Sequence, residues 1–209
     1  MYNNNDDFLD LFEKRLCEYT GAPHAVVVDR CTNAILLSLK CLGTDLVTIP
    51  RNTYLSVPMV CLNYGIKVIF DDRRWEGNYQ FIGTRVYDYA VGFEKDMYVP
   101  GQIQCLSFQQ KKRLAIGKGG AILLDDEEMA NRLRRLRYDG RNSRIPESKE
   151  DPNDIILGYH MNMSPDEAAR GILLMNQLSE EYTLGSYKEY IDVTNLRCFR
   201  DQLRINNSY

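Results

Sequence analysis

Hydrophobic and polar positions along this chain fall into short blocks whose period switches back and forth. Over residues 6–20, Phe8, Phe12, Leu16 and Tyr19 recur at helical spacing, behind Asp6 and Asp7 and ahead of Gly21, which predicts a first helix. Ala25 to Val28 is a continuous apolar run, the signature of a strand buried on both faces. Residues 29–32 then read as a strand-to-helix turn, 34–42 as a helix ending at Gly43, and 46–49 as a strand closed by Pro50. A helix is predicted over 53–64, with Pro58 inside it and Gly65 as its stop, followed by a strand at 67–70. Further strands are predicted at 85–87, 104–106 and 121–124, and Asp125 and Asp126 should cap a basic helix carrying Met129, Leu133 and Leu136. Residues 141–154 are polar, hold Pro146 and Pro152, and read as a mobile loop; Ser164 should cap a helix over 165–178. Residues 182–190 are predicted to be helical, and the final RINNSY reads as frayed.

Strands alternating with helices predict an α/β fold, a mostly parallel sheet flanked by helices. Residues 1–178 would form the main domain and 179–209 a short C-terminal remnant. Of 209 residues, 44% are hydrophobic and 26% charged, the balance of a soluble globular chain. The net charge of −3 removes most of the electrostatic case for nucleic acid. Apolar runs such as Ala34 to Leu37 are too short for a membrane span, and the polar, acidic start MYNNNDDF does not read as a signal peptide. The six cysteines show no C-x2-C spacing and the chain has two histidines, so no metal is expected; reduced, mostly buried thiols in a cytoplasmic protein are.

In sheets of this kind chemistry gathers at the carboxyl ends of strands. Gly117-Lys118-Gly119-Gly120 lacks phosphate-loop spacing and precedes a strand, so it reads as a tight turn. Ahead of it, Ser107-Phe108-Gln109-Gln110-Lys111-Lys112 follows an apolar strand. Two adjacent lysines ordinarily mean a solvated surface. A strand-end amine near a serine hydroxyl also suits a Schiff base with an aldehyde cofactor whose phosphate the serine holds, namely pyridoxal 5'-phosphate. That cofactor needs an acid at its pyridine nitrogen, an aromatic ring on its face and helix-start amides at its phosphate. Asp88, Tyr54, and Thr32 with Asn33 stand at suitable positions. Each has a plainer alternative: Asp88 as a turn residue or cap, Tyr54 as core, Thr32 as an N-cap.

These stretches together resemble the DegT/DnrJ/EryC1/StrS family of pyridoxal-phosphate-dependent sugar aminotransferases, which have the aspartate-aminotransferase (type I) fold. SFQQKKRLAIGKGG followed by AILLDDEEMANRLRRLRYDGR is the strongest match. EYTGAPHAVVVDRCTNAILLSLKCLG, VTIPRNTYLSVPMVCLNYGIKVIFDD, YDYA and LGYHMNMSPDEAARGILLMNQL follow family order from Phe12 to Leu178. The resemblance implies that Lys112 forms the internal aldimine and shuttles the proton, with Lys111 the less favoured neighbour. It implies that Asp88 keeps the pyridine nitrogen protonated, that Tyr54 stacks on the ring, and that Thr32, Asn33 and Ser107 contact the phosphate. His160 falls where the family has an Asn that reaches a neighbouring subunit's phosphate site, which implies a homodimer with a shared site; on residue type alone it reads as a partly buried imidazole.

The chain departs from the family pattern at several places. Val91 replaces a Gln or His, Gln109 a His, Lys118 a Glu, and Asn162 an Arg. Residues 71–84 leave room for one short connection, so a sheet lacking one β/α unit is expected. Only 31 residues follow Leu178, so most of the small C-terminal domain is expected to be missing and the site to be open or closed by a partner subunit. The resemblance implies transfer of an amino group from an amino acid such as glutamate to a keto-sugar, expected to be nucleotide-linked. Relatives that dehydrate sugars carry His at the lysine position, so Lys112 favours amino transfer. The alternative is a reduced, non-enzymatic relative that binds cofactor or nucleotide-sugar and partners a full-length homologue.

Overall fold

The computed structural model describes residues 5–179 and 181–200. Its elements, in chain order, are α1 (Asn5–Thr20), β1 (His24–Val28), α2 (Cys31–Cys41), β2 (Leu46–Pro50), α3 (Ser56–Asn63), β3 (Lys67–Asp71), β4 (Tyr79–Gln80), β5 (Val86–Asp88), β6 (Ile103–Ser107), β7 (Gly120–Leu124), α4 (Glu127–Leu136) and α5 (Pro165–Met175). The main sheet has the order β1-β7-β6-β5-β4, and β2 pairs with β3 in a second, parallel sheet. β5 and β6 are parallel, and β7 is antiparallel to both of its neighbours. β1, β5 and β6 therefore point the same way, so their carboxyl ends emerge on one edge. The α/β class holds, and the sheet is mixed where β7 and β4 run against this direction.

The continuous apolar runs follow from burial on both faces. In β1, Ala25 and Val27 pack toward α1 and α5, while Val26 and Val28 pack toward α2 and α4. β7 divides in the same way, Ala121 and Leu123 to one side and Ile122 and Leu124 to the other. On the first side α1 and α5 come so close that a Cβ at Gly171 would sit 2.6 Å from Phe12 Cζ. α4 is capped by Asp126, whose side chain accepts the Met129 N–H, and α5 by Ser164 in a reciprocal box with Glu167.

Two predicted elements differ, and the short connection expected over 71–84 carries a strand of its own. The helix expected from residue 53 starts at Ser56, after a turn in which the Val57 N–H donates to Tyr54 O at 3.0 Å. Residues 72–85 contain no helix; they hold the two-residue strand β4, antiparallel to β5, and Ile82 bridges to Thr48 of β2. Residues 182–190 are not an α-helix: a single 3-10 turn at Tyr187–Glu189 interrupts an otherwise extended segment. Its backbone bonds outward, Gly77 N–H to Gly185 O at 2.7 Å and Tyr187 N–H to Trp75 O at 3.1 Å, instead of along its own axis. The loop at 141–154 is held by buried Glu150, which accepts the Asn142 N–H and the Arg141 guanidinium. The predicted frayed end at 204–209 lies outside the described residues.

Candidate active site

Asp88 ends β5 and Ser107 ends β6, while the turn after β1 leads into α2 at Cys31. These three ends meet at a cavity of about 1020 Å³. Thr32, Tyr54, Asp88, Ser107 and Lys112 all line it. The glycine turn explains how α2 comes so near: a Cβ at Gly120 would lie 2.5 Å from the Cys31 nitrogen, and Gly119 adopts φ +125° with Met163 Cε 2.6 Å from where a Cβ would be. The tight-turn reading of residues 117–120 thus has a steric cause, close approach of helix to strand.

Asp88 is 6% exposed. One carboxylate oxygen accepts the Ala90 N–H at 2.8 Å, the other the Tyr79 hydroxyl at 2.8 Å. Tyr79 shares a 2.6 Å bond with Thr53. Burial raises the Asp88 pKa, against the pull of these bonds and of the Lys112 charge. Lys112 sits in the loop after β6, its N–H bonded to Gln109 O at 2.8 Å and its Nζ 3.3 Å from the Tyr190 hydroxyl. The Thr32 hydroxyl meets Ser56 at 2.7 Å near the start of α2. Tyr54 is 50% exposed, which leaves its ring free of the core. Cys31 is held beside Asp88 and Cys105, and burial pushes its thiol well up.

Two predicted residues lie elsewhere. Asn33 donates its side-chain amide to Asp29 at 2.6 Å and does not line the cavity. His160 has a side chain 81% exposed, paired with Asp139 at 3.1 Å, also away from it.

Sequence reasoning did not single out Tyr79, Thr53, Trp75 or Tyr190. Tyr79 is reached only through the β4 hairpin, which has too few residues to show a period. Tyr190 comes from a C-terminal strap, residues 182–195, that forms one wall of the cavity. Tyr182 Oη donates to Val91 O at 3.2 Å and Gly185 N–H to the same oxygen at 3.4 Å. Farther on, Asn52 bridges to Asp192, and the Val193 N–H donates to Arg51 O. A Cβ at Gly185 would lie 2.8 Å from Val91 Cβ, so the small apolar Val91 packs where the strap crosses. The site expected to be open or closed by a partner subunit is, on this side, walled by the chain itself.

The DegT/DnrJ/EryC1/StrS aminotransferase family matches residues 2–77 and 82–184. The chain belongs to this family. Among curated relatives, a UDP-4-amino-4,6-dideoxy-N-acetyl-beta-L-altrosamine transaminase of Campylobacter jejuni is 26% identical, over 81% of this chain and 56% of its own length. A dTDP-4-amino-4,6-dideoxy-D-glucose transaminase of Shigella dysenteriae is 24% identical, over 85% of this chain and 58% of its own. The chain thus spans under two thirds of the curated relatives it matches. A solved DegT/DnrJ/EryC1/StrS aminotransferase from Brucella abortus superposes with a TM-score of 0.69 at 19% identity, over 83% of this chain and 59% of its own. A 3-amino-5-hydroxybenzoic acid synthase superposes with a TM-score of 0.66 at 21% identity. The shared architecture is that of the type I pyridoxal-phosphate aminotransferases.

The cofactor this family implies is pyridoxal phosphate, and the cavity's donor set fits it. A buried carboxylate whose ionised form is disfavoured would gain from a cationic ring nitrogen beside it. An amine stands within its field, and Thr32, Ser56 and Ser107 present hydroxyls near the N-terminus of α2, where a phosphate is favoured. Among the described residues no group of three or more His, Cys, Asp or Glu is placed to hold a metal ion, and no helix is long and apolar enough to cross a membrane.

Proposed function

We propose that this chain is a pyridoxal-phosphate-dependent aminotransferase that moves an amino group from an amino acid, glutamate in the first instance, to a nucleotide-linked keto-sugar. The observation that carries the reading is the convergence of Lys112 and Asp88 on one cavity of about 1020 Å³, room enough for a cofactor and part of a substrate. The named curated relatives are sugar-nucleotide transaminases, which supports the substrate class.

Pyridoxal phosphate, when bound, supplies an aldehyde that condenses with amines and a ring that accepts an electron pair from a substrate carbon. Lys112 is the amine assigned to hold it. Once free, its Nζ takes a proton from the substrate carbon and returns it. Asp88 is assigned to the ring nitrogen, and the Ala90 N–H and Tyr79 hydroxyl hold its two oxygens in a fixed orientation. Thr32 and Ser107 are assigned to the phosphate, with Asn33 entering only as part of the same helix start. Tyr54 offers a ring face at the cavity mouth. His160, exposed on the surface, is assigned to a partner's phosphate site in a homodimer.

The test is a visible spectrum of protein loaded with pyridoxal phosphate. A band that disappears in Lys112→Ala, is bleached by glutamate and returns with a keto-sugar nucleotide supports the reading. A folded protein with no band at all rejects it.

A further inference from the structure

We propose that Tyr190 is a positioning residue for Lys112: its hydroxyl fixes where the lysine amine points within the cavity. The inference deepens the aminotransferase reading and rests on it. Lysine carries its charge on a flexible four-carbon stem, so without a partner its amine samples many positions. Here Nζ donates to the Tyr190 hydroxyl at 3.3 Å and lies 6.0 Å from the centre of its ring.

The tyrosine is itself held from several directions. Its ring packs on Trp75 with centroids 5.4 Å apart. The Trp75 indole N–H donates to Asn52 O at 2.8 Å, and the Asn52 side-chain amide donates to Tyr190 O at 3.0 Å. The Tyr190 N–H closes the turn on Tyr187 O at 3.2 Å. Backbone and ring are thereby fixed, and the hydroxyl has one place to be.

A phenol suits this task better than a carboxylate would. Burial, with Asp88 and Glu189 nearby, raises the Tyr190 pKa, so the hydroxyl keeps its proton. A neutral hydroxyl accepts from an ammonium and donates to a free amine. The contact therefore survives when Lys112 changes protonation state, as a lysine that takes and returns protons must. The residue lies beyond the family match, which ends at 184.

Lys111 provides the internal control. It lines the same cavity, is exposed, and carries the same amine. Unloaded protein is mixed with pyridoxal phosphate, so that aldehyde and amine join with loss of water, and borohydride then adds hydride to make the link permanent. Peptide mass mapping gives the ratio of label on Lys112 to label on Lys111. Wild type should favour Lys112. Tyr190→Phe, which keeps the ring on Trp75, should lower the ratio about tenfold, the scale of one lost charge-assisted hydrogen bond, with the melting temperature unchanged. Asn52→Ala, which loosens the tyrosine's backbone, should lower it in the same direction. An unchanged ratio in both variants overturns the positioning role and leaves the aminotransferase reading standing. Wild-type protein that takes no label at Lys112 overturns both.

Discussion

At the scale of single residues, the proposed chemistry turns on a carboxylate kept where it is uncomfortable. Burial raises the Asp88 pKa above the ordinary aspartate value. A folded-state pKa that is raised means stability present at low pH and lost as pH climbs through the folded value. Unloaded protein should therefore lose stability as pH rises above about 4, the ordinary aspartate value. Asp88→Asn should remove that slope and melt higher at neutral pH, since an amide can still accept from Ala90 and donate to the Tyr79 oxygen. Thermal melts of both proteins between pH 4 and 8 check this, and equal slopes would refute it. The same variant should keep the Lys112-dependent band and be bleached far more slowly by glutamate, since the ring nitrogen would lose the carboxylate that keeps it charged. That Lys112, Asp88, Ser107, Thr32 and Tyr54 would lie on one cavity was legible in the sequence, because Asp88 and Ser107 end apolar strands and the others stand in the turns or helix start that follow apolar strands. The Tyr79 hydroxyl on Asp88 was not, because it arrives through a turn that no periodicity announces.

Between elements, the decisive contacts are few and buried. Glu13 of α1 receives Arg134 of α4 at 3.0 Å and Arg137, the residue just after α4, at 2.5 Å, and it also accepts the Val27 N–H at 3.0 Å. Both guanidinium groups bond carbonyls of β1 as well, Arg134 to Ala25 and Arg137 to Val27. Glu13→Ala would leave buried Arg137 without its carboxylate and should cost about 3–5 kcal/mol of folding stability. Glu13→Gln should cost less. Urea denaturation separates the two, and a loss below about 1 kcal/mol for the alanine variant would show the network to be dispensable. Gly185 supplies a second test. A valine there would collide with Val91, so Gly185→Val should displace the strap and weaken pyridoxal phosphate binding while the sheet keeps its circular dichroism. Unchanged binding would show that the strap does not shape the cavity. The strap was misread as helix because its partners, Trp75, Gly77 and Val91, lie some hundred residues earlier in the chain. Local pattern does not report such distant pairing. α1, β1, β7 and α4 were read close to their true limits because burial on defined faces writes itself into the sequence.

For the molecule as a whole, the shared direction of β1, β5 and β6 does the placing. It brings three strand ends to one edge, and the reversed β7 lets the glycine turn bring α2 close. The missing β/α unit was legible from the length of residues 71–84. What fills that space, a two-residue hairpin strand followed by a bridge from Ile82 to β2, was not. If the protein pairs as proposed, His160→Ala should weaken pyridoxal phosphate binding several-fold without changing the melting temperature of the unloaded chain. Titration by absorbance measures this, and unaltered affinity would remove His160 from the shared-site proposal.

The strap has a further consequence, set by the order of synthesis. Residues 182–195 leave the ribosome after every other part of the cavity has been made, and chains grow at about 5–20 residues per second. For seconds, the floor and the remaining sides precede the piece that covers them. A small molecule arriving in that interval meets a bowl whose rim is still being manufactured.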